Sequence, residues 1–199
     1  TYTKIITGED LMETAQHGST LYPFQFYYED LSVFDFNCIE WHWHTELEFI
    51  YIESGTVTLW IGEDQFHLTE GNGIFINTKV LHRLYSPSKA LIPNFVFMPS
   101  FIAPCDSLIY QKYILPIISS SLPFLVFHKK VCWQAKVLSI MRQIISAQDS
   151  VLSKELLTSS LLQNLWLEIF ENTDISYQEE HKDHSTASQA RLQLMLQFI

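Results

Sequence analysis

Between about Tyr22 and Met98 the chain is a succession of short apolar runs broken by turn residues, and this rhythm restricts the fold more than any other feature. The runs are Phe24 to Tyr28, Ile39 to His44, Glu48 to Glu53, Thr56 to Ile61, Gln65 to Thr69, Gly73 to Ile76, Leu81 to Tyr85 and Asn94 to Met98. Between them stand Ser54-Gly55, Gly62-Glu63-Asp64, Glu70-Gly71-Asn72 and Ser86-Pro87-Ser88, all sound turn chemistry. About eight short strands at this spacing predict a sandwich or a small barrel.

From Asp106 the period changes to that of helices. Ser107 to Ser119, Val131 to Gln148 and Leu152 to Glu171 carry apolar residues at three- and four-residue steps. The third segment has the widest stripe: Leu152, Leu156, Leu157, Leu161, Leu165, Trp166, Ile169 and Phe170. A stripe of that width must be covered. Packing on the barrel and the second helix covers it in one reading, and a second subunit meeting Leu157, Leu161 and Leu165 covers it in the other. From Thr173 to Ser188 the chain turns polar and charged, the composition of a linker, with His181 and His184 as solvated members of it. The helical spacing of Leu192, Met195, Leu196 and Ile199 then starts a helix without a stop signal, so the chain is expected to continue past Ile199.

Charge bears on the choice of partner. Twelve Lys+Arg against 22 Asp+Glu leave a net charge of -10, which works against binding DNA through these residues. Cys38, Cys105 and Cys132 are odd in number and widely spaced, so neither a disulfide framework nor a zinc knuckle is indicated. A soluble protein of the reducing cytoplasm, with no membrane segment, is the simplest expectation.

One segment carries chemistry. In Trp41-His42-Trp43-His44-Thr45-Glu46-Leu47-Glu48, strand alternation sends His42 and His44 to one face and Trp41 and Trp43 to the other. With Glu48 four residues on and His82 behind the Glu70-Gly71-Asn72-Gly73 loop, three imidazoles and a carboxylate form either a metal set or the polar floor of a ligand pocket. As a metal set they suit zinc, manganese, iron or nickel.

These residues resemble a known family. His42-x-His44-x3-Glu48-x6-Gly55 has the form of the first cupin motif, and Glu70-Gly71-Asn72-Gly73 through His82 resembles the second. Together with Phe97-Met98-Pro99-Ser100-Phe101-Ile102, the helical Tyr110 to Ile117, two long helices and a polar linker, the chain resembles an AraC-type (AraC/XylS) transcriptional regulator. The resemblance implies a mainly β protein with C-terminal α: an N-terminal arm (1–21), a cupin jelly-roll barrel that senses a ligand (22–104) and a helical dimerisation region (105–172). A linker (173–188) would follow, then the first helix (189–199) of a helix-turn-helix domain that is otherwise outside the chain. It implies a small-molecule effector, often a sugar, a homodimer, DNA contact only through that domain, and no catalysis. In cupin enzymes the positions of His42, His44, Glu48 and His82 hold the metal, whereas in such regulators they can simply hydrogen-bond a ligand, so no cofactor is required.

For other residues ordinary roles are expected. Trp41 and Trp43 are expected to pack between barrel and helices, and Trp60 is the better platform for a sugar face. Glu46 is expected in an exposed bend, Lys79 and Arg83 as surface charges, and the cysteines as small hydrophobes. Two other functions compete with the effector-sensing module: a metal-dependent cupin enzyme, an oxygenase or isomerase, and a purely structural dimerisation domain with an empty barrel.

Overall fold

The computed structural model describes residues 4–173. Two antiparallel sheets face each other. The larger has the order β1-β8-β3-β6-β9 and the smaller β2-β7-β4-β5. The strands are β1 (Phe24–Asp30), β2 (Cys38–His42), β3 (Leu47–Tyr51), β4 (Thr56–Ile61), β5 (Asp64–Thr69), β6 (Gly73–Ile76), β7 (His82–Tyr85), β8 (Leu91–Phe97) and β9 (Phe124–Phe127). A π-helical turn (Tyr110–Ile114) runs into α1 (Leu115–Ile118), and α2 (Cys132–Ala147) and α3 (Lys154–Asn172) complete the described chain.

Eight of the strands fall where the short runs predict them, with shifts of a few residues at their ends. The ninth, β9, lies inside the stretch 105–172 read as helical, and pairs with β6 to close one edge of the larger sheet. Its four apolar residues follow Pro123, and a run so short gives no period to read. Strand β8 starts three residues earlier than expected because Pro93 is tolerated there. The β3 pairing ends at Ile50↔Asn94, so the missing N–H of Pro93 leaves no ladder bond unmade.

The larger sheet is buried on both faces, and alternation gives each face its own residues. One face carries phenylalanines from all five strands: Phe24, Phe49, Phe75, Phe95, Phe97 and Phe127. Phe49 sits opposite both Phe75 and Phe95, with ring centroids 5.0 and 5.4 Å away. Val137, Leu138, Met141 and Ile144 of α2 and Leu162, Leu165, Trp166 and Ile169 of α3 join this layer. Trp166 stands edge-on to Phe75 and donates its indole N–H to the Tyr113 carbonyl at 2.8 Å. Helix α2 lies so close to β6 that a Cβ on Gly73 would stand 2.9 Å from Leu138 Cδ2. Burying a layer of large rings, each worth about 1.5–3 kcal/mol, is the main force fixing helices to barrel.

The other face, with Ile50, Ile74, Ile76 and Ile92, meets Ile39, Val57, Leu59, Ile61 and Leu84 of the smaller sheet. Gly55 makes the turn before β4 at φ +87°, and a Cβ there would come 2.7 Å from the Lys89 carbonyl oxygen. The expected helix 189–199, the linker beyond Thr173, and His181 and His184 lie outside the described residues.

Three expectations change. Leu165 is 1% exposed inside the protein's own core, and Leu161 packs against that core, so both are spent within the chain. Leu157 is 41% exposed, and the most open leucine of α3 is Leu156, at 77%. Trp43 is covered by the N-terminal segment and not by the helices, since its indole N–H donates to the Asp10 carbonyl at 2.8 Å.

Candidate functional site

Between the two sheets, at the end that holds the histidines, lies a cavity of about 350 Å³. Alternation chooses its lining. From the larger sheet come Tyr27 and Glu29 of β1, Glu48 and Ile50 of β3, and Ile92, Asn94 and Val96 of β8; from the smaller come Ile39, His42 and Leu84. In the β1–β8 and β3–β8 pairings Glu29 faces Ile92, Tyr27 faces Asn94 and Glu48 faces Val96, so one inward row crosses three strands.

The remaining wall is the N-terminal segment. Met12 bridges to Trp43, the Glu13 N–H donates to the Trp43 carbonyl, and the Trp43 N–H donates to the Leu11 carbonyl. This stitching brings Ile5, Glu13, Ala15 and His17 to the cavity. His17 bridges the segment to the barrel: one ring nitrogen lies 2.9 Å from the Tyr27 hydroxyl and the other 3.2 Å from Glu13 Oε2. Its ring stands edge-on to His44 at 5.7 Å.

The sequence pairing of His42, His44, Glu48 and His82 holds in three dimensions. Each imidazole has its Nδ1 within hydrogen-bond reach of a backbone carbonyl: Glu40 for His42 at 2.8 Å, Glu46 for His44 at 3.2 Å and Val80 for His82 at 2.9 Å. A carbonyl only accepts, so each Nδ1 carries the proton and each Nε2 is left for the interior. His44 Nε2 lies 3.3 Å and His82 Nε2 3.1 Å from the same Glu48 oxygen. His82 is fully buried, and its Nε2 makes no aligned hydrogen bond.

Charge is divided unequally among these groups. Burial, reinforced by His82 and His44, holds His42 well below the usual imidazole range, so it is neutral. Burial also opposes charge on His44, but the Glu48 hydrogen bond and charge outweigh it and raise its pKa. Glu48 resists the same desolvation through His44 and His82 and stays well below the carboxylate range. The result is a buried Glu48 carboxylate flanked by His44 and His82, with the neutral His42 beside them. One ring nitrogen from each of His42, His44 and His82 lies within 4.8 Å of the others. Three Nε2 atoms oriented from behind by carbonyls, with an adjacent carboxylate, suit a divalent cation.

The other expected residues fall elsewhere. Trp60 projects from the outer face of β4, opposite Arg83, whose guanidinium sits 5.0 Å from its ring centre. That residue is therefore no platform inside the barrel. Arg83 is also held by both Glu40 oxygens, at 2.9 and 3.2 Å. Glu46 does occupy the bend, yet its side chain is 13% exposed and lies 3.8 Å from His44 Nδ1. Lys79 is exposed, at φ +61°, and its backbone N–H donates to the His44 carbonyl at 2.8 Å. Cys38 is buried, and burial pushes its thiol up to about 11.

Sequence reading missed Glu13, His17, Tyr27, Glu29 and Asn94. Tyr27 and Glu29 have the inward parity of β1, a signal present but unmarked by any motif. Glu13 and His17 are four apart in a segment without periodicity, and only the fold brings them to the site.

With this geometry in view, comparison with known proteins is decisive. The family model of the "AraC-like ligand binding domain" matches residues 25–166, well over half of the chain. The chain belongs to the AraC-like ligand binding domain family. A Bacillus subtilis (strain 168) protein named "Uncharacterized HTH-type transcriptional regulator YdeC" is 23% identical over 199 residues, covering 98% of this chain and 66% of its own length. The chain thus spans just under two thirds of that relative. ToxT from Vibrio cholerae (P21 form) aligns with TM-score 0.53 and 15% identity over 78% of this chain and 58% of its own. ToxT from strain O395 aligns at 0.51 and 12% over 76% and 56%. Those structures share the fold: a cupin barrel backed by helices, as the AraC-like assignment requires.

Glu29 gives this AraC-like site a pH signature. Burial, with the charges of Glu48 and Glu13, pushes its carboxyl up to about 7, against the Asn94 hydrogen bond and the His17 charge. The folded state therefore keeps a proton that the unfolded chain gives up near its ordinary value, so stability falls as pH rises from the unfolded to the folded pKa. Relative to Glu29→Gln, the unsubstituted protein should lose on the order of 2 kcal/mol between pH 5 and pH 8 in urea unfolding. Parallel pH profiles for the two proteins would show that Glu29 titrates normally.

Proposed function

We propose that the chain is the effector-sensing and dimerisation part of a DNA-binding transcriptional regulator, without catalytic activity of its own. The carrying observation is the cavity itself: about 350 Å³, within the range of small-molecule sites, apolar in its body and polar at converging points. The family assignment and the helix-turn-helix relative support the regulatory setting. The net charge of -10 supports DNA contact made by residues outside this chain.

Strand β3 offers a route for the signal. Glu48 and Ile50 face the cavity, while Leu47 and Phe49, on the same strand, belong to the layer shared with α2 and α3. A ligand that favours one setting of this strand over another biases the helices behind it, and differential affinity for the two settings is the thermodynamic requirement. The N-terminal segment is the second responsive element, because Glu13 and His17 belong to the wall the ligand would touch.

A sugar, the ligand class expected from the resemblance, would not find the aromatic platform expected of Trp60. Effector binding is tested by thermal shift against a metabolite library, followed by titration calorimetry. Ala15 is exposed and borders the cavity, which places it at the opening. A true effector raises Tm, and Ala15→Trp lowers its affinity about tenfold or more. Absence of any stabilising compound, or hits indifferent to Ala15→Trp, would count against a sensor.

The histidine cluster supports a second element of the proposal, a divalent ion held by His42, His44, His82 and Glu48. Such an ion would supply charge compensation and rigid anchoring of the barrel wall. Untagged protein dialysed against zinc, nickel or manganese should retain about one equivalent by mass spectrometry. His42→Ala, confirmed as folded by circular dichroism, should retain none. Metal-free protein that takes up no ion on titration refutes this element.

For dimerisation, the open apolar positions of α3 are the support: Leu156 and Leu157, with the nearby Leu152 also exposed. Sedimentation at tens of micromolar should show a dimer, and Leu156→Glu combined with Leu157→Glu should give a folded monomer. A monomeric parent protein disposes of strong self-association.

A further inference from the structure

The cavity contains three carboxylates, and they are not equally satisfied. Glu13 lies 3.2 Å from His17 Nε2, and Glu48 is paired with His44. Glu29 accepts a hydrogen bond from the neutral Asn94 amide, at 3.1 Å, and that amide also donates to the Ile92 carbonyl. No lysine or arginine lines the cavity among the described residues, and no described salt bridge reaches Glu29. Arg83, Lys89 and Lys136 pair with Glu40, Asp30 and Glu168, all outside the cavity wall.

Holding a half-buried carboxylate beside two others is costly unless a cation or a proton answers it. The cavity it faces also has an apolar part, with Ile39, Ile50, Leu84 and Ile92 in its lining. A ligand bringing N–H donors and positive charge answers this deficit, and one bringing negative charge worsens it.

We propose that the effector is a small amine, its ammonium group docked on Glu29 and its hydrocarbon body against Ile39, Ile50, Leu84 and Ile92. This assignment rests on the reading of the cavity as an effector site and names the chemical class that the site selects. It does not depend on a metal in the histidine cluster, because Glu29 and Asn94 lie outside that set. Docking an ammonium on Glu29 displaces the proton that the empty site retains, so binding strengthens as pH rises. The charged and polar groups that face Glu29 are Glu13 and His17 of the N-terminal segment, Glu48 of β3 and, as a neutral donor, Asn94 of β8.

The test uses the 199-residue chain, freed of metal with a chelator, and a matched series: hexylamine, hexanol and hexanoate, with a panel of neutral monosaccharides beside them. Calorimetry should give saturable binding of hexylamine, about tenfold tighter than hexanol, and none of hexanoate. Hexylamine affinity should rise from pH 6 to pH 8. Glu29→Gln should cost the amine about tenfold, leave hexanol unchanged and abolish the pH rise. Hexanoate binding as tightly as hexylamine, no saturable amine binding, or a Glu29→Gln protein indifferent to the amine overturns the proposal. A monosaccharide that binds where the amine does not overturns the charge assignment and leaves the sensor reading standing. A chain that binds none of these and nothing in the metabolite library overturns both.

Discussion

The architecture depends on the larger sheet being covered on both faces. A strand buried on one side needs only alternation, but β3 is buried on both, and its odd and even residues serve different neighbours. Leu47 and Phe49 pack beneath α2 and α3, whereas Glu48 and Ile50 face the barrel interior. A slip of one residue would put the Glu48 carboxylate under the helices and a phenyl ring in the cavity, so the register is strongly fixed. Helices, sheet and site are held by one choice of parity.

Against this frame of hydrocarbon the interior polar set is expensive and highly satisfied. The Glu48–His44 pair withstands burial because each member is hydrogen-bonded, and because the backbone carbonyls of Glu40, Glu46 and Val80 absorb the outward nitrogens of the three histidines. What is least satisfied along the cavity wall, the Glu29 carboxylate with its neutral Asn94 donor, faces inward. In a folded protein such residual demands concentrate where another molecule completes the structure.

Much of this was legible in the residue order. Turn residues at Gly55, Gly62 and Gly71 marked the strand ends, and the histidine spacing identified the polar end of the barrel. The limits were equally physical. Strand β9 is four residues after a proline, too short to display a period, and Trp60 faces outward because parity runs the opposite way from the expectation placed on it. Leu165 and Leu157 sit on one stripe by spacing, yet packing against the sheet buries the first and leaves the second open. Glu13 and His17 belong to the site only because Trp43 anchors a segment more than twenty residues upstream, a contact that no local pattern encodes.

The division of the sheet into two chemically separate faces also bears on how such a module can diversify. Substitutions in the phenylalanine layer alter the support of α2 and α3 and so jeopardise folding. Substitutions in the row Tyr27, Glu29, Asn94 and Ile92 change the chemistry of a space that is already hollow. Recognition can therefore drift at low structural risk while the outer face keeps the helices in place, and a barrel of this kind can acquire a new chemical vocabulary without relearning how to fold.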